Sequence, residues 1–330
     1  PPHSSGFLNE GGYLLNRHGE RFMSRYDPER MERSTRSLIN RAVAIEIFEG
    51  RGTDNNAVYI DIRHVFDEAN SGASADVIRT FKNGGVDMRT SLLEVTSCPH
   101  TYLGGLRIDE WGRTTLEGLY AGGEAAGGVH GANRLGGAAL IDSYVFGFRA
   151  GMAAADESRL RGLPDSESGG WRERLAQLRE WSNRSGQSGS PEEWRREVQQ
   201  LVVSSVGQVR RGDRLSAALA RLEELERAFH EIRSEGGSAR ERLDSLRLAL
   251  ETRNLIQVAR MLGTAALHRE ESRGGHFRLD FPQMDDGRFR RNIVVWNEQG
   301  RVAHELRPVP DRGEAKTPPP AMASTAALVV

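Results

Sequence analysis

The chain has 330 residues, with 45 basic against 46 acidic side chains, a formal net charge of −1, 38% hydrophobic and 28% charged residues. That length holds one large domain or two with an ample core, and the balanced charge gives no reason to expect a nucleic acid or another polyanion as partner. The single cysteine, Cys98, excludes an internal disulfide and a thiolate metal cluster. No run approaches the roughly eighteen continuous apolar residues of a membrane span and no signal peptide opens the chain, so a soluble, cytoplasmic protein without a metal site is expected.

Residues 1 to about 95 read as mixed α/β. Tyr13 to Asn16 is a short apolar strand, RHGER a turn, and Phe22-Met23 a second apolar pair. After Pro28 the spacing of Leu38, Ala42, Ile45 and Phe48 predicts a helix from about Arg36 to Glu49. Gly50 to Asn56 breaks it, and Ala57 to Ile62 alternates as a strand. Ser97 to Ile108 runs extended through Pro99, turns at Gly104-Gly105 and continues as a strand into the DEWGRTT hairpin turn.

The organising stretch is Gly118 to Ala150, GLYAGGEAAGGVHGANRLGGAALIDSYVFGFRA. It predicts a short strand, Leu119 to Ala121, then a glycine-dense loop carrying Glu124 and Arg134, then a long apolar helix opened by Gly136-Gly137. Glycines let backbone N–H groups come close to a ligand, and a helix N-terminus favours an anion, which is the anatomy of a cofactor cradle. On spacing alone, a glycine-rich turn packed in a core reads equally well.

From about Ala153 to Ser190 the composition turns to Arg, Glu, Gly and Ser, a surface helix flanked by linkers at Pro164 and SGQSGSP. Leu215, Leu219, Leu222, Leu225, Phe229 and Ile232 form one helical stripe. Leu248, Leu255, Val258, Met261, Leu262 and Ala265 form another, together predicting a small antiparallel bundle over 191–270. In ESRGGHFRLDFPQMDD the trio His276, Arg278 and Asp280 reads as a structural salt-bridged turn, and the Pro- and Ala-rich end as a loose tail.

VHGANRLGG, with GLYAGGE before it, resembles the flavoprotein family of succinate dehydrogenase, fumarate reductase and L-aspartate oxidase. GGYLLNRHGERFM, STRSLINRAVAIEIFEGRG and VYIDIRHV resemble the family's capping domain, SCPHTYLGGLRI its HYTMGG segment, and ESRGGHFRLDFPQMDD a segment that folds back toward the flavin domain. The resemblance implies an α/β cap (1–95, partial) and the return part of an FAD-binding domain (96–155). A linker and surface helix (156–190), an α-helical bundle domain (191–270) and an irregular C-terminal segment and tail (271–330) follow. No strand with GxGxxG precedes Gly118, so the chain is expected to be the C-terminal half to two-thirds of a flavoprotein, truncated or encoded as a separate chain.

The activity implied is flavin-dependent interconversion of succinate and fumarate, or of a related C4 dicarboxylate, by hydride transfer at flavin N5. The alternatives are L-aspartate oxidase and an inactive fragment or split subunit. His100 and Arg134 match the family residues that bind substrate carboxylates, and a guanidinium suits that bidentate grip. Ser4 stands for a substrate-contacting threonine. Arg36 matches the catalytic proton shuttle, a role that needs a relay because its pKa lies above about 12. Glu124 matches the acid that bonds the FAD ribose region, and the Ala139 and Leu140 amides face the isoalloxazine edge. Ser5 and Leu8 stand where the family has the relay glutamate and arginine, a departure that touches proton delivery. The partners implied are a C4 dicarboxylate, an iron–sulfur subunit, membrane-anchor subunits that would hold the protein at the inner membrane face, and a separate FAD-binding chain.

Overall fold

In the computed structural model, which describes residues 5–65, 75–162, 170–182, 189–229, 237–309 and 328–329, the chain divides into two units, 1–100 and 101–330. The first is built on an antiparallel sheet of β1 (Tyr13–Leu15), β2 (Val58–Asp61) and β3 (Leu93–Val95), in that order, with Leu14 opposite Ile60 and Ile60 opposite Leu93. Helix α1 (Arg36–Phe48) starts at Thr35, whose Oγ1 accepts the Leu38 amide at 3.4 Å, the usual way of satisfying a first-turn N–H. A second helix, α2, covers Ala75–Asn83.

Leu14, Phe22, Met23, Ala42, Val43, Val58, Ile60, Ile62 and Met88 form the core of this unit, joined by Phe7 and Leu8. The buried face of α1 is Ala42, Val43 and Glu46 rather than the expected Leu38–Ala42–Ile45–Phe48 line. The face turns because Glu46, fully buried, accepts from Asn16 (3.1 Å), the Tyr26 hydroxyl (2.8 Å), and Arg51 through Nε (2.8 Å) and Nη2 (2.9 Å). Asn16 in turn accepts the amides of His18 and Glu20, so the RHGER turn hangs on the same acid.

In the second unit β4 (Gly105–Arg107) lies parallel to β5 (Ala126–Gly127). The strand expected at Leu119–Ala121 is reduced to an isolated bridge between Arg113 and Tyr120. Gly118 turns the chain with φ +78°, and at Gly122 a Cβ would lie 2.7 Å from the backbone of Phe146 and Gly147, so this stretch packs on the following helix instead of extending. That helix, α3 (Ala138–Arg161), passes unbroken through residues 155 and 156.

Helices α4 (Trp171–Ser182), α5 (Pro191–Leu201), α6 (Gly212–Ala228) and α7 (Ala239–His268) follow, with β6 (Val209–Arg210) between α5 and α6. Ser190–Glu193 and Ser238–Glu241 are reciprocal capping boxes that fix the starts of α5 and α7. Their core is Trp194, Val198, Leu222, Leu225, Ala249, Ile256 and Ala259. The buried residues of α7 are Ser245, Ala249, Thr252, Ile256, Ala259, Arg260, Gly263, Ala265 and Ala266, so Ala265 of the expected stripe is buried, while Leu255 and Val258 are exposed. Small residues win this face because the neighbouring helix lies so near that a Cβ at Gly263 would come within 2.9 Å of Leu219 Cδ2. Ile232 lies outside the described residues.

The ESRGGH segment is a dense ionic turn, as its residues suggest. Strand β7 (Phe277–Arg278) pairs with β6. Arg278, almost fully buried, chelates Asp280 (2.7 and 2.8 Å) and donates to the Ala266 and Leu267 carbonyls at the C-terminal end of α7 (2.9 and 2.8 Å), where a cation also suits the helix dipole. Glu271, fully buried, accepts from Arg269, Arg273 and the Asp285 amide.

The region expected to be irregular contains a long hairpin, β8 (Arg291–Glu298) and β9 (Arg301–Pro308), in full register. Its turn places Gln299 and Gly300 at φ +51° and +85°, the pair of positive φ values that a two-residue hairpin turn of the right twist requires. Of the expected loose tail, 310–327 and 330 lie outside the described residues, but Leu328–Val329 form β10 between β4 and β8, giving the order β5-β4-β10-β8-β9.

Two buried groups set expectations for stability. Burial pushes the Glu46 carboxyl upward, but hydrogen bonds from Arg51, Tyr26 and Asn16 outweigh it and hold the group below the ordinary carboxylate value of 4.5. Its contribution is therefore complete above that value and lost as pH falls through the lowered folded one. Glu46→Ala is expected to cost about 3–5 kcal/mol in urea unfolding near neutral pH and to flatten the acid limb of the stability profile. For His276, burial and then the nearby Arg210 guanidinium push the imidazole down to about 3. Arg210 Nη1 donates to Nδ1 (2.6 Å) and Nε2–H faces the Arg269 carbonyl (3.0 Å), which fixes the neutral Nε2–H tautomer. The unfolded chain binds this proton first, so stability falls as pH drops from 6.5 toward 3. Nitrogen chemical shifts of the ring should show one neutral tautomer at about pH 5, and His276→Gln should remove that part of the pH dependence.

Candidate functional site

The site begins where β4 meets β5. A Cβ at Gly105 would lie 2.5 Å from the Ala125 carbonyl oxygen and 2.8 Å from the Ala126 carbonyl carbon, so only glycine permits this approach. The short turn Gly123–Ala125 brings out Glu124, which is exposed and whose Oε1 accepts the Tyr102 amide at 2.9 Å. One carboxylate thus ties the Tyr102–Gly105 turn to the turn that leads into β5. Beside it lies a cavity of about 320 Å³ walled by Tyr102, Gly104, Val258, Met261 and Leu262, with Glu124 as the one acid of its lining. An apolar ring edge with a hydrogen-bond donor aimed at that acid matches the lining.

Downstream, His130 Nε2 stands 3.2 Å from Oδ2 of Asp142, a buried acid on the first turn and a half of α3. Arg134 is partly buried and donates through Nη1 to its neighbour's carbonyl, Leu135, at 3.2 Å. Gly137 N-caps α3 at φ +79° with no capping side chain. The first-turn amides, Ala139 and Leu140 among them, therefore rely on an acceptor other than a cap. A Cβ at Gly136 or Gly137 would project into open space. Open space over an uncapped helix start and a partly buried guanidinium on the connection after β5, with an exposed carboxylate on the turn before it, fit a flavin dinucleotide and a small anion. The adjoining α3 face is apolar and open as well, with Leu140, Tyr144 and Phe148 at least 70% exposed.

Glu124 lies on the turn into β5, Arg134 on the connection from β5 to α3, and Ala139 and Leu140 in the first turn of α3, all in the second unit. Arg36, exposed, is the first residue of α1, and His100, also exposed, ends the first unit; both belong to residues 1–100. Ser4 lies outside the described residues, and Ser5 opens the short helix Ser5–Asn9. Leu8, which the resemblance sets at the place of the family's relay arginine, is 4% exposed in the apolar core of its unit. Sequence reasoning missed the His130–Asp142 pair. Its one signal was an acid inside the otherwise apolar run AALIDSYVF.

Residues 3–140 match the family model described as FAD binding domain, and residues 195–321 that described as fumarate reductase flavoprotein C-term. One chain of the fumarate reductase (CoM/CoB) of Methanothermobacter marburgensis is 42% identical over 283 residues, 83% of this chain and 49% of that protein. The L-aspartate oxidase of Synechocystis sp. is 31% identical over 295 residues, 84% and 51% of the two chains. Among solved structures, Mycobacterium smegmatis Sdh1 in complex with UQ1 aligns with a TM-score of 0.78 at 32% identity, covering 92% of this chain and 51% of that one. The chain spans about half the length of the curated relatives it matches. It belongs to the FAD-dependent flavoprotein family of fumarate reductase, succinate dehydrogenase and L-aspartate oxidase.

Proposed function

We propose that this chain is part of a flavin-dependent oxidoreductase that interconverts fumarate and succinate. The observation that carries the reading is the Arg134 loop, a partly buried guanidinium set between an exposed Glu124 and the uncapped start of α3. Fumarate is favoured over L-aspartate because the relative at 42% identity is a fumarate reductase, whereas the Synechocystis L-aspartate oxidase stands at 31%.

When bound, FAD supplies hydride transfer at N5. Glu124 would accept from its ribose region, and the Ala139 and Leu140 amides would place positive potential at the isoalloxazine edge, a contribution of about 0.3–1 kcal/mol that needs no side chain there. Arg134 holds one carboxylate of the dicarboxylate by its planar fork, and His100 and the Ser4 hydroxyl donate to the same ligand. Arg36 delivers the proton to the carbon opposite the one that takes hydride. A guanidinium releases a proton only if a neighbour replaces it at once in a dry site. Leu8 carries no proton, so that replacement comes from elsewhere than the position it occupies.

A dinucleotide-binding segment, on a separate chain or otherwise supplied, would cover the α3 stripe of Leu140, Tyr144, Phe148 and Met152, spaced four apart on one face. Membrane-anchor subunits and an iron–sulfur subunit would relay electrons. Those partners would hold the protein at the inner membrane face; among the described residues no helix is long and apolar enough to cross a membrane. The cap, return, linker, bundle and C-terminal ranges given above are part of this proposal.

The reading is tested by turnover with fumarate, succinate and L-aspartate, and by whether the purified chain carries flavin absorbance alone or only with a dinucleotide-binding partner. Arg134→Ala and His100→Ala are each expected to lower kcat/KM for fumarate about a hundredfold, roughly 2.7 kcal/mol of transition-state stabilisation. Arg134→Lys should recover little of it, since an ammonium cannot reproduce the fork. Unchanged rates in both alanine variants would remove these residues from the site.

A further inference from the structure

The loop that carries Arg134 is held on two sides before it reaches the arginine. On one side is the turn of the ESRGGH segment. Gly274, at φ +56°, lies so close to Ala132 that a Cβ would stand 1.9 Å from its carbonyl oxygen and 2.5 Å from its carbonyl carbon. The next amide, Gly275 N–H, donates to that same Ala132 oxygen at 3.0 Å. The turn is stiff. Arg273 and His276 exchange both backbone hydrogen bonds (2.8 and 2.9 Å), Arg273 is chelated by the buried Glu271 and bonded to Asp286 (2.6 Å), and Ser272 Oγ bonds the Phe281 carbonyl at 2.8 Å.

On the other side is α3. His130 is paired to Asp142 through Oδ2, and the second oxygen of that buried carboxylate, Oδ1, has no hydrogen-bond partner among the described residues. An acid costs free energy to bury, and among the described residues the ionic contact of this one is to the loop, through His130. Residues 130 and 132 are thus both pinned, and Gly136-Gly137 begins the free span beyond Arg134.

We propose that the Gly274-Gly275 turn and Asp142 act as a two-sided clamp that positions the Arg134 guanidinium for its dicarboxylate; this rests on the reading of Arg134 given above. Neither element touches the ligand, and both act through the loop backbone. The clamp accounts for a glycine where a methyl group would displace Ala132, and for an acid buried under a glycine-rich loop. It also gives the ionic turn around Glu271 a reason to be rigid, because a soft turn would transmit no constraint.

The test is hydrogen exchange of the full chain, read by peptide, in Gly274→Ala, Asp142→Ala and Gly275→Ala. The last is a control: its added Cβ would meet only Leu103 Cδ1 at 4.0 Å, and its backbone is outside the left-handed region. Exchange across Ala132–Leu135 is expected to quicken about tenfold or more in the first two variants and to stay within about twofold in the control, with α6 and α7 unchanged in all three. If Gly274→Ala loses protection in α6 and α7 as well, Asp142→Ala decides. Unaltered loop exchange in a folded Gly274→Ala or Asp142→Ala protein overturns the clamp. In the assembled enzyme the KM for fumarate should rise about tenfold with a smaller change in kcat. A quickened loop with an unchanged KM would leave the loop restraint standing and overturn the role of Arg134, so the two failures are told apart.

Discussion

The closeness of β4 to β5 at Gly105 decides the rest of the second unit's site. With the Ala125 carbonyl oxygen 2.5 Å from where a Cβ would stand, the two backbones pair Leu106 with Ala126 and Arg107 with Gly127, which holds the turn Gly123–Ala125 against β4. Glu124 emerges from that turn and returns to the Tyr102 amide, closing a short circuit of backbone and carboxylate. A side chain on a turn held at both ends keeps its position without a core around it. That is how an exposed acid can still be an ordered one.

Charge is partitioned in both units. The acids that are fully buried, Glu46 and Glu271, are saturated with donors and hold turns together, the RHGER turn in one unit and the ESRGGH turn in the other. Removing such an acid from water costs several kcal/mol, which arginine pairing and backbone amides must offset in full. The groups proposed for chemistry, Arg36, His100, Glu124 and Arg134, sit instead at helix starts and loop positions where solvent or a ligand can reach them. Asp142 falls between these classes, buried with its Oδ1 unpartnered among the described residues, and the imidazole that faces its Oδ2, His130, belongs to the loop that carries Arg134.

Elements set by local pattern were legible in the sequence. The α1 span, β1, β2 and the start of α3 after Gly136-Gly137 follow from apolar spacing, a capping threonine and a glycine pair. Where tertiary packing overruled pattern, reading failed. On α7 the larger Leu255 and Val258 yielded the buried face to Ala249, Ala259 and Gly263, because helix proximity favours small residues over hydrophobic ones. The β8–β9 hairpin was legible and overlooked, since IVVW before a Gln-Gly turn is an apolar strand run ahead of turn chemistry. Arg134 and Glu124 stood out only through the whole motif around them. The clamp on Ala132 was invisible because its halves lie far apart in the chain, and nothing local to Gly274 marks it as touching that loop.

The packing of Leu8 constrains the proton delivery proposed above. Within its unit it lies in the same apolar cluster as Phe22, Met23 and Val58, and a charged relay residue placed at that position would have to be desolvated against them. The local fold is thus suited to a leucine there, so the substitution is integrated into the core. The proton role proposed for Arg36 therefore calls for a donor on its exposed side at the start of α1 rather than from the position of Leu8.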